Sequence, residues 1–208
     1  MVDHAGPVEI QSSVTGGYSM IKMPGLLLIL GFTVFLGACT TVAPPYAASV
    51  SNVDVTAKLA GPVAVGRFEF EKGREAELNS VGARAGVFVS PINNSYADYF
   101  GDAVTKELKA AGKFDASSPQ VLTGVLMKNY LTAAGAQINQ SDLQVRFRLA
   151  QGGSTLYDKL IQAQNQWESS LMGAIAIPRA LDNYVATIQK LISNLFSDPD
   201  FIRASAAK

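Results

Sequence analysis

The alternation of apolar and polar residues predicts two strands in the first half of the chain. Residues 63–70 form the first strand. Its apolar side chains change parity at Gly66, so a bulge at this glycine would bring four of them to one face: Val63, Val65, Phe68 and Phe70. A second, weaker strand is predicted over residues 81–90, built around Val87-Phe88-Val89 and ending before Pro91.

A helix is predicted from Tyr96 to about Ala111. Ser95 precedes it as a good N-cap, and Gly112 supplies the left-handed residue that ends it. Apolar residues recur at steps of three and four and make one stripe: Tyr96, Phe100, Ala103, Val104, Leu108 and Ala111.

Three further strands follow this helix, at residues 121–132, 143–149 and 155–167. In the middle strand the apolar residues alternate with Gln144, Arg146 and Arg148, so both arginines project from one face. Gln151-Gly152-Gly153-Ser154 is typical of the tight turn of a hairpin, and it lacks the spacing and the following helix of a phosphate-binding loop.

The last predicted element is a helix that begins near Pro178, a favoured first helical position, and ends at Ser197-Asp198-Pro199. The predicted order is therefore ββαβββα. Each amphipathic helix must bury its stripe against the apolar face of the strands. The pattern predicts an α+β fold, a two-layer sandwich of a mostly antiparallel sheet with two amphipathic helices on one face.

An apolar connection without helical or strand period, residues 171–177, precedes this helix. If exposed, it would be a patch that contacts a partner; if buried, it would plug the end of the sandwich. The candidate partner-binding residues in it are Leu171, Met172, Ile175 and Ile177.

Near the start of the chain, the apolar run from Leu26 to Phe35 is too short to span a bilayer, which takes roughly 20 residues. It has the length of the apolar centre of a secretory signal peptide. The run leads into Leu36-Gly37-Ala38-Cys39, which resembles the lipobox of bacterial lipoproteins. The resemblance implies that a signal peptidase recognises Leu36, Gly37 and Ala38, that Cys39 receives a diacylglycerol, and that the new amino terminus is acylated.

The residues around this leader predict the domain organisation. Asp3 and Glu9 are atypical of the basic start of a signal peptide, so we expect translation to begin at Met20 and residues 1–19 to be a non-native extension. Residues 1–38 are then removed, residues 39–62 form a flexible tether, and residues 63–208 form a single periplasmic domain. In the lipobox family an aspartate after the cysteine often retains the protein in the inner membrane. Thr40 at that position therefore favours the periplasmic face of the outer membrane.

Composition excludes several kinds of chemistry. The chain has 17 basic and 17 acidic side chains, and its balance predicts no nucleic-acid partner. His4 is the sole histidine, and the sole cysteine, Cys39, would be acylated. The mature chain would lack the groups for histidine-dependent nucleophilic catalysis, for histidine or cysteine metal sites and for disulfides. We expect neither enzymatic activity nor a metal, and no cofactor besides the acyl chains on Cys39.

Two groups of charged residues remain candidates for chemistry. Four carboxylates, Glu69, Glu71, Glu75 and Glu77, could supply the pair that a glycosidase needs, or they could be a solvated strand end. Arg146 and Arg148, expected near Lys128, are candidates to bind phosphate or carboxylate groups of a partner or lipid, or they could belong to an ordinary exposed face.

The layout also resembles small α+β bacterial lipoproteins of the YajG type and, more distantly, the auxiliary lipoproteins of ABC-type lipid transport systems. The likeness rests on three segments: residues 99–114, 121–126 and 195–201. The first family implies a non-catalytic envelope lipoprotein, and we expect such a domain to bind an envelope protein partner. The second implies a transport complex that handles lipid, and a carboxylate hydrolase acting on envelope glycans is a further alternative.

Overall fold

The computed structural model describes residues 39–83, 86–132 and 138–207. In these residues the patterns of apolar side chains produce both strands and helices. In chain order the elements are β1 (Cys39–Val42), α1 (Val50–Thr56), β2 (Ala64–Phe70), α2 (Glu75–Leu78), β3 (Val81–Ala83), β4 (Gly86–Val89), α3 (Tyr96–Ala110), β5 (Gln120–Thr132), β6 (Ile138–Gln151), β7 (Ser154–Glu168), α4 (Gly173–Ser197) and α5 (Pro199–Ser205). The predicted α+β class is confirmed. The leader, with Leu36, Gly37 and Ala38, lies outside the described residues.

The larger sheet has the strand order β2-β5-β6-β7. β2 runs parallel to β5, whereas β5, β6 and β7 are antiparallel neighbours. Gly152 and Gly153 both have positive φ, +56° and +84°, as a two-residue hairpin turn requires, so the predicted turn between β6 and β7 is confirmed. Helices α3 and α4 both pack on the inner face of this sheet and enclose the core with it.

Two glycines allow close packing around β2. The register of β2 on β5 shifts between Val65 and Phe68, which confirms the bulge predicted at Gly66. A Cβ at Gly66 would lie 2.9 Å from the side chains of Val121 and Thr123. A Cβ at Gly124 would overlap the ring of Phe68, so this ring occupies space that any other residue at position 124 would fill.

A smaller sheet has the strand order β1-β4-β3. The single strand predicted over residues 81–90 is instead the antiparallel pair β3 and β4, in which Val81 lies opposite Phe88. Both side chains are buried. The chain therefore reverses between them, so that both face the core, and two short strands replace one long one.

The prediction of a flexible tether over residues 39–62 is wrong. Residues 39–42 form β1, which pairs in parallel with β4, and residues 50–56 form α1. Tyr46 and Leu59 are buried in the core, and the hydroxyl of Tyr99 donates a hydrogen bond to the carbonyl oxygen of Pro44 at 2.8 Å. Small residues and prolines gave no local period, but their low bulk lets the segment pack closely on α3.

Helix α3 agrees with its prediction at both ends. The hydroxyl of Ser95 accepts a hydrogen bond from the backbone N–H of Asp98 at 3.1 Å, and Gly112 has a φ of +66° just beyond the helix. Helix α4 differs, because it begins at Gly173 and places Pro178 inside the helix. Proline cannot donate to the carbonyl of Ala174, but that residue lies in the exposed first turn, where water can replace the donor. Within the described residues, no helix has both the length and the apolarity needed to cross a bilayer.

Candidate binding surfaces

The outer face of the larger sheet brings several predicted site residues together. Both long helices lie on the opposite face. Arg146 and Arg148 of β6 face outward and are exposed. With Arg67, Glu69 and Asp158 they line an open groove of about 400 Å³, in which three arginines meet two carboxylates.

The contacts of these arginines differ. The Nε of Arg146 donates to Asp158 Oδ1 at 2.6 Å, whereas Arg148 donates from Nε and Nη2 to the neutral hydroxyl of Thr155, at 2.9 and 2.5 Å. Lys128 does not join them: a register shift at Met127 places it opposite Gln144, and its ammonium contacts Asp142 at 2.5 Å. The groove therefore has a surplus of one positive charge.

The segment predicted as an apolar connection, residues 171–177, mostly belongs to the start of α4, and its first part is exposed rather than a plug. Relative exposure is 76% for Leu171, 63% for Met172 and 47% for Ile175. Ile177 alone packs against the core. The first three residues flank or begin the first turn of α4, so they form one apolar tip, for which partner binding stays a prediction.

The four candidate carboxylates lie where β2 ends and α2 begins. Arg74 contacts Glu71 at 2.5 Å and Glu77 at 2.6 Å, and it also donates to the backbone oxygen of Met127 at 2.9 Å. The hydrogen bond from Arg74 lowers the pKa of Glu77. Glu69 lies 3.4 Å from the guanidinium of Arg67, and Glu75 lines a surface depression. These contacts tie the turn to β5, and a lowered pKa is opposite to what a general acid needs.

A buried carboxylate that the sequence analysis missed holds the amino-terminal segment in place. Glu107 of α3 is fully buried, and its Oε1 accepts three hydrogen bonds. The donors are the hydroxyl of Tyr46 at 2.5 Å, the backbone N–H of Ser49 at 3.0 Å and the side-chain amide of Asn52 at 3.1 Å. Burial, followed by the contact with Glu107, raises the pKa of the Tyr46 hydroxyl. We call these four residues the Glu107 clamp.

The sequence did contain a sign of this clamp. Glu107 lies three residues after Val104 and four after Ala103, so it falls on the apolar stripe of α3 rather than on its solvent side. A carboxylate on a core stripe needs donors from elsewhere in the fold. Its Oε2 is buried and makes no hydrogen bond within the described part of the chain. Across residues 39–83, 86–132 and 138–207, no three histidine, cysteine, aspartate or glutamate residues are grouped as a metal ion would require.

No family model matches the chain, and no curated protein matches its sequence. Among solved structures, protein XCC0632 from Xanthomonas campestris, of family DUF330, superimposes with a TM-score of 0.51 at 11% identity, over 76% of this chain and 95% of that one. At this identity the likeness shows a shared fold alone.

Two other solved structures are less similar. A candidate lipoprotein from Caulobacter crescentus CB15 has a TM-score of 0.43 at 11% identity, over 76% of this chain and 98% of that one. A PelC dodecamer from Paraburkholderia phytofirmans has a TM-score of 0.35 at 12% identity, over 74% of this chain and 92% of that one. Both scores lie below 0.5, so neither likeness bears on the function of this chain.

Proposed function

We propose that this chain is a cell-envelope lipoprotein, anchored through a diacylglycerol and an N-acyl chain on Cys39 to the periplasmic face of the outer membrane. Its folded domain acts as a non-catalytic binding module for an envelope protein. The anchor is supported by the Leu36-Gly37-Ala38-Cys39 pattern behind an apolar run. The binding role is supported chiefly by the outer face of the larger sheet.

That face has the composition of a protein-binding surface. It combines the three arginines of the groove with apolar side chains, of which Leu160 is 51% exposed. Arginine is enriched in protein interfaces, where a guanidinium makes several directed hydrogen bonds, and the buried centre of an interface is more apolar than the rest of the surface. The surplus positive charge of the groove suits a partner that presents carboxylates.

At β7, one of the two edge strands of the larger sheet, docking on the face is favoured over extension of the sheet. β7 is an edge strand, but two side chains of α4 occupy its backbone carbonyls: Asn194 donates to Gln162 at 2.9 Å and Lys190 donates to Gln164 at 3.0 Å. A partner strand could not reach these carbonyls without displacing α4 side chains. The outer face carries no such cover from either long helix.

The anchor and the partner surface are tested separately. Intact-mass analysis of native protein should show an acylated Cys39 at the new amino terminus; an unmodified Cys39 with residues 1–38 attached overturns the anchor. For the partner, Arg146→Glu and Arg148→Glu should remove protein crosslinks that form in cells with the wild-type chain. Arg203→Glu is the matched control, because Arg203 is 73% exposed and contacts Asp200, but lies on α5. Equal crosslinking in all variants overturns the proposed surface.

One observation favours a second candidate function, an auxiliary subunit of an ABC-type lipid transport system. The groove is large enough for an anionic headgroup, and its charge surplus fits one. Organic extraction of the purified full chain should then release phospholipid in a fixed ratio to protein, and Arg148→Glu should lower that ratio.

A further inference from the structure

The end of the domain that carries Cys39 also carries an exposed apolar surface. β1 begins at Cys39, which pairs with Gly86, and Gly86 lies opposite Ala83 in β3. A Cβ at the neighbouring Gly82 would lie 3.9 Å from the backbone oxygen of Leu131, near the end of β5. The start of the chain's fold is thus next to the carboxyl end of β5.

The same end of the larger sheet leads to the apolar tip of α4. Ile138 begins β6 opposite Glu168, the last residue of β7, and the tip follows a few residues later. Neighbouring strands within each sheet are about 4.8 Å apart, and these pairings place Cys39 and the tip at the same end of the domain. Ile138 is itself 67% exposed. We define the apolar end as Ile138, Leu171, Met172 and Ile175.

The Glu107 clamp determines how far the apolar end can lie from the bilayer. A flexible tether of 24 residues would let the domain stand off from its anchor by roughly 25 Å. Here no such tether exists, because β1 is bound in a sheet and residues 46–52 are held on α3 by Glu107. Acyl chains on the first residue of β1 would therefore bring this end of the domain directly against the bilayer.

We propose that the apolar end is a membrane-contact surface that inserts into the headgroup region of the bilayer and fixes the orientation of the anchored domain. This inference rests on the proposed acylation of Cys39. Its chemistry suits lipid: the apolar residues are followed by Arg179, which lies four residues after Ile175 on the same side of α4 and is exposed. Apolar side chains beside a basic one are typical of interfacial helices, in which the cation meets lipid phosphate.

The acylated chain offers a direct test, because its only native thiol would be blocked. Met172→Cys, Ile175→Cys and Ile138→Cys are each labelled with the fluorophore NBD in the full acylated protein and reconstituted into phosphatidylethanolamine–phosphatidylglycerol vesicles that contain lipids with a nitroxide in the acyl chain. Leu160→Cys is the matched control, since Leu160 is 51% exposed and lies eight residues, roughly 25 Å, before the end of β7.

We expect the nitroxide lipids to quench NBD at the three positions of the apolar end about threefold or more, and to leave NBD at position 160 nearly unchanged. The inference is overturned if the nitroxide lipids quench NBD equally at all four positions. The inference is also overturned if, in detergent without vesicles, position 175 becomes less accessible to the dye as the protein concentration rises. A second copy of the chain would then cover the surface.

The proposed anchor is assessed independently in the same preparation. Wild-type protein should take up no dye, and its intact mass should include the acyl chains. Dye uptake at Cys39 refutes the anchor, whereas acylated protein without quenching refutes the membrane-contact surface alone.

Discussion

Removal of the Glu107 carboxylate should release the amino-terminal segment while the rest of the fold remains. In Glu107→Ala, Tyr46, Ser49 and Asn52 lose their common acceptor, and hydrogen bonds to a charged group contribute about 1.5–3 kcal/mol each. The three values do not add, because the segment can detach and its donors can then bind water. We expect the free energy that holds the segment on the fold to fall by about 3–5 kcal/mol, as when one partner of a buried charged network is removed.

Hydrogen exchange measures this release. Amides of residues 49–56 should exchange faster by roughly two to four orders of magnitude in Glu107→Ala, whereas amides in β5 and β6 should change little. Glu107→Gln is the matched control: it keeps one acceptor oxygen but buries an NH₂ group where Oε2 now has no partner, and it should cost about 1–2 kcal/mol. Unchanged exchange in Glu107→Ala would show that the other contacts of the segment hold it without the carboxylate, among them the hydrogen bond from the Asn52 amide to the backbone oxygen of Gln189 at 2.9 Å.

Two further predictions concern the core. Gly124→Ala should destabilise the fold by about 1–3 kcal/mol in urea unfolding, because the new methyl would overlap the Phe68 ring, which Gly101 confines from the other side. Adding Phe68→Leu should restore part of the lost stability. No loss of stability in Gly124→Ala would contradict this packing. Burial raises the pKa of five core tyrosines: Tyr46, Tyr96, Tyr99, Tyr157 and Tyr184. Stability should therefore be constant below about pH 10, where folded and unfolded chains bind these protons equally, and should fall above it by about 1.4 kcal/mol per pH unit for each tyrosine. A urea midpoint that stays level from about pH 9 to 11 would contradict this account.

Local patterns were sufficient for the elements whose partners lie close in sequence. The β6–β7 hairpin followed from the two glycines of its turn, and α3 followed from its stripe and its caps. β1 could not be found this way. It has four residues, and its partner strand begins 47 positions later. Short parallel strands gain their stability from such long-range pairing, for which a local apolar period carries no information.

The candidate surfaces were predictable to a similar extent. Alternation with Val145 and Phe147 placed Arg146 and Arg148 correctly on the outer face. Their partners on β7 depend on the register, which places Arg148 opposite Asp158 although Asp158 bonds Arg146. The expected neighbour Lys128 was wrong because the shift at Met127 changes which side chains meet across β5 and β6. Registers with irregularities cannot be read from one strand alone.

The buried carboxylate of Glu107 fixes the position of the amino-terminal segment, and this connects the fold with the proposed anchor. Residues 43–49 are mostly alanine, proline and serine, so apolar contacts specify their position on α3 only weakly. One oxygen that must satisfy three donors permits a single register of the segment. We therefore expect that Glu107→Ala in the acylated protein lowers nitroxide quenching at Ile175→Cys although Cys39 keeps its acyl chains. Unchanged quenching, together with faster exchange of residues 49–56, would show that the apolar end meets the bilayer without help from the clamp.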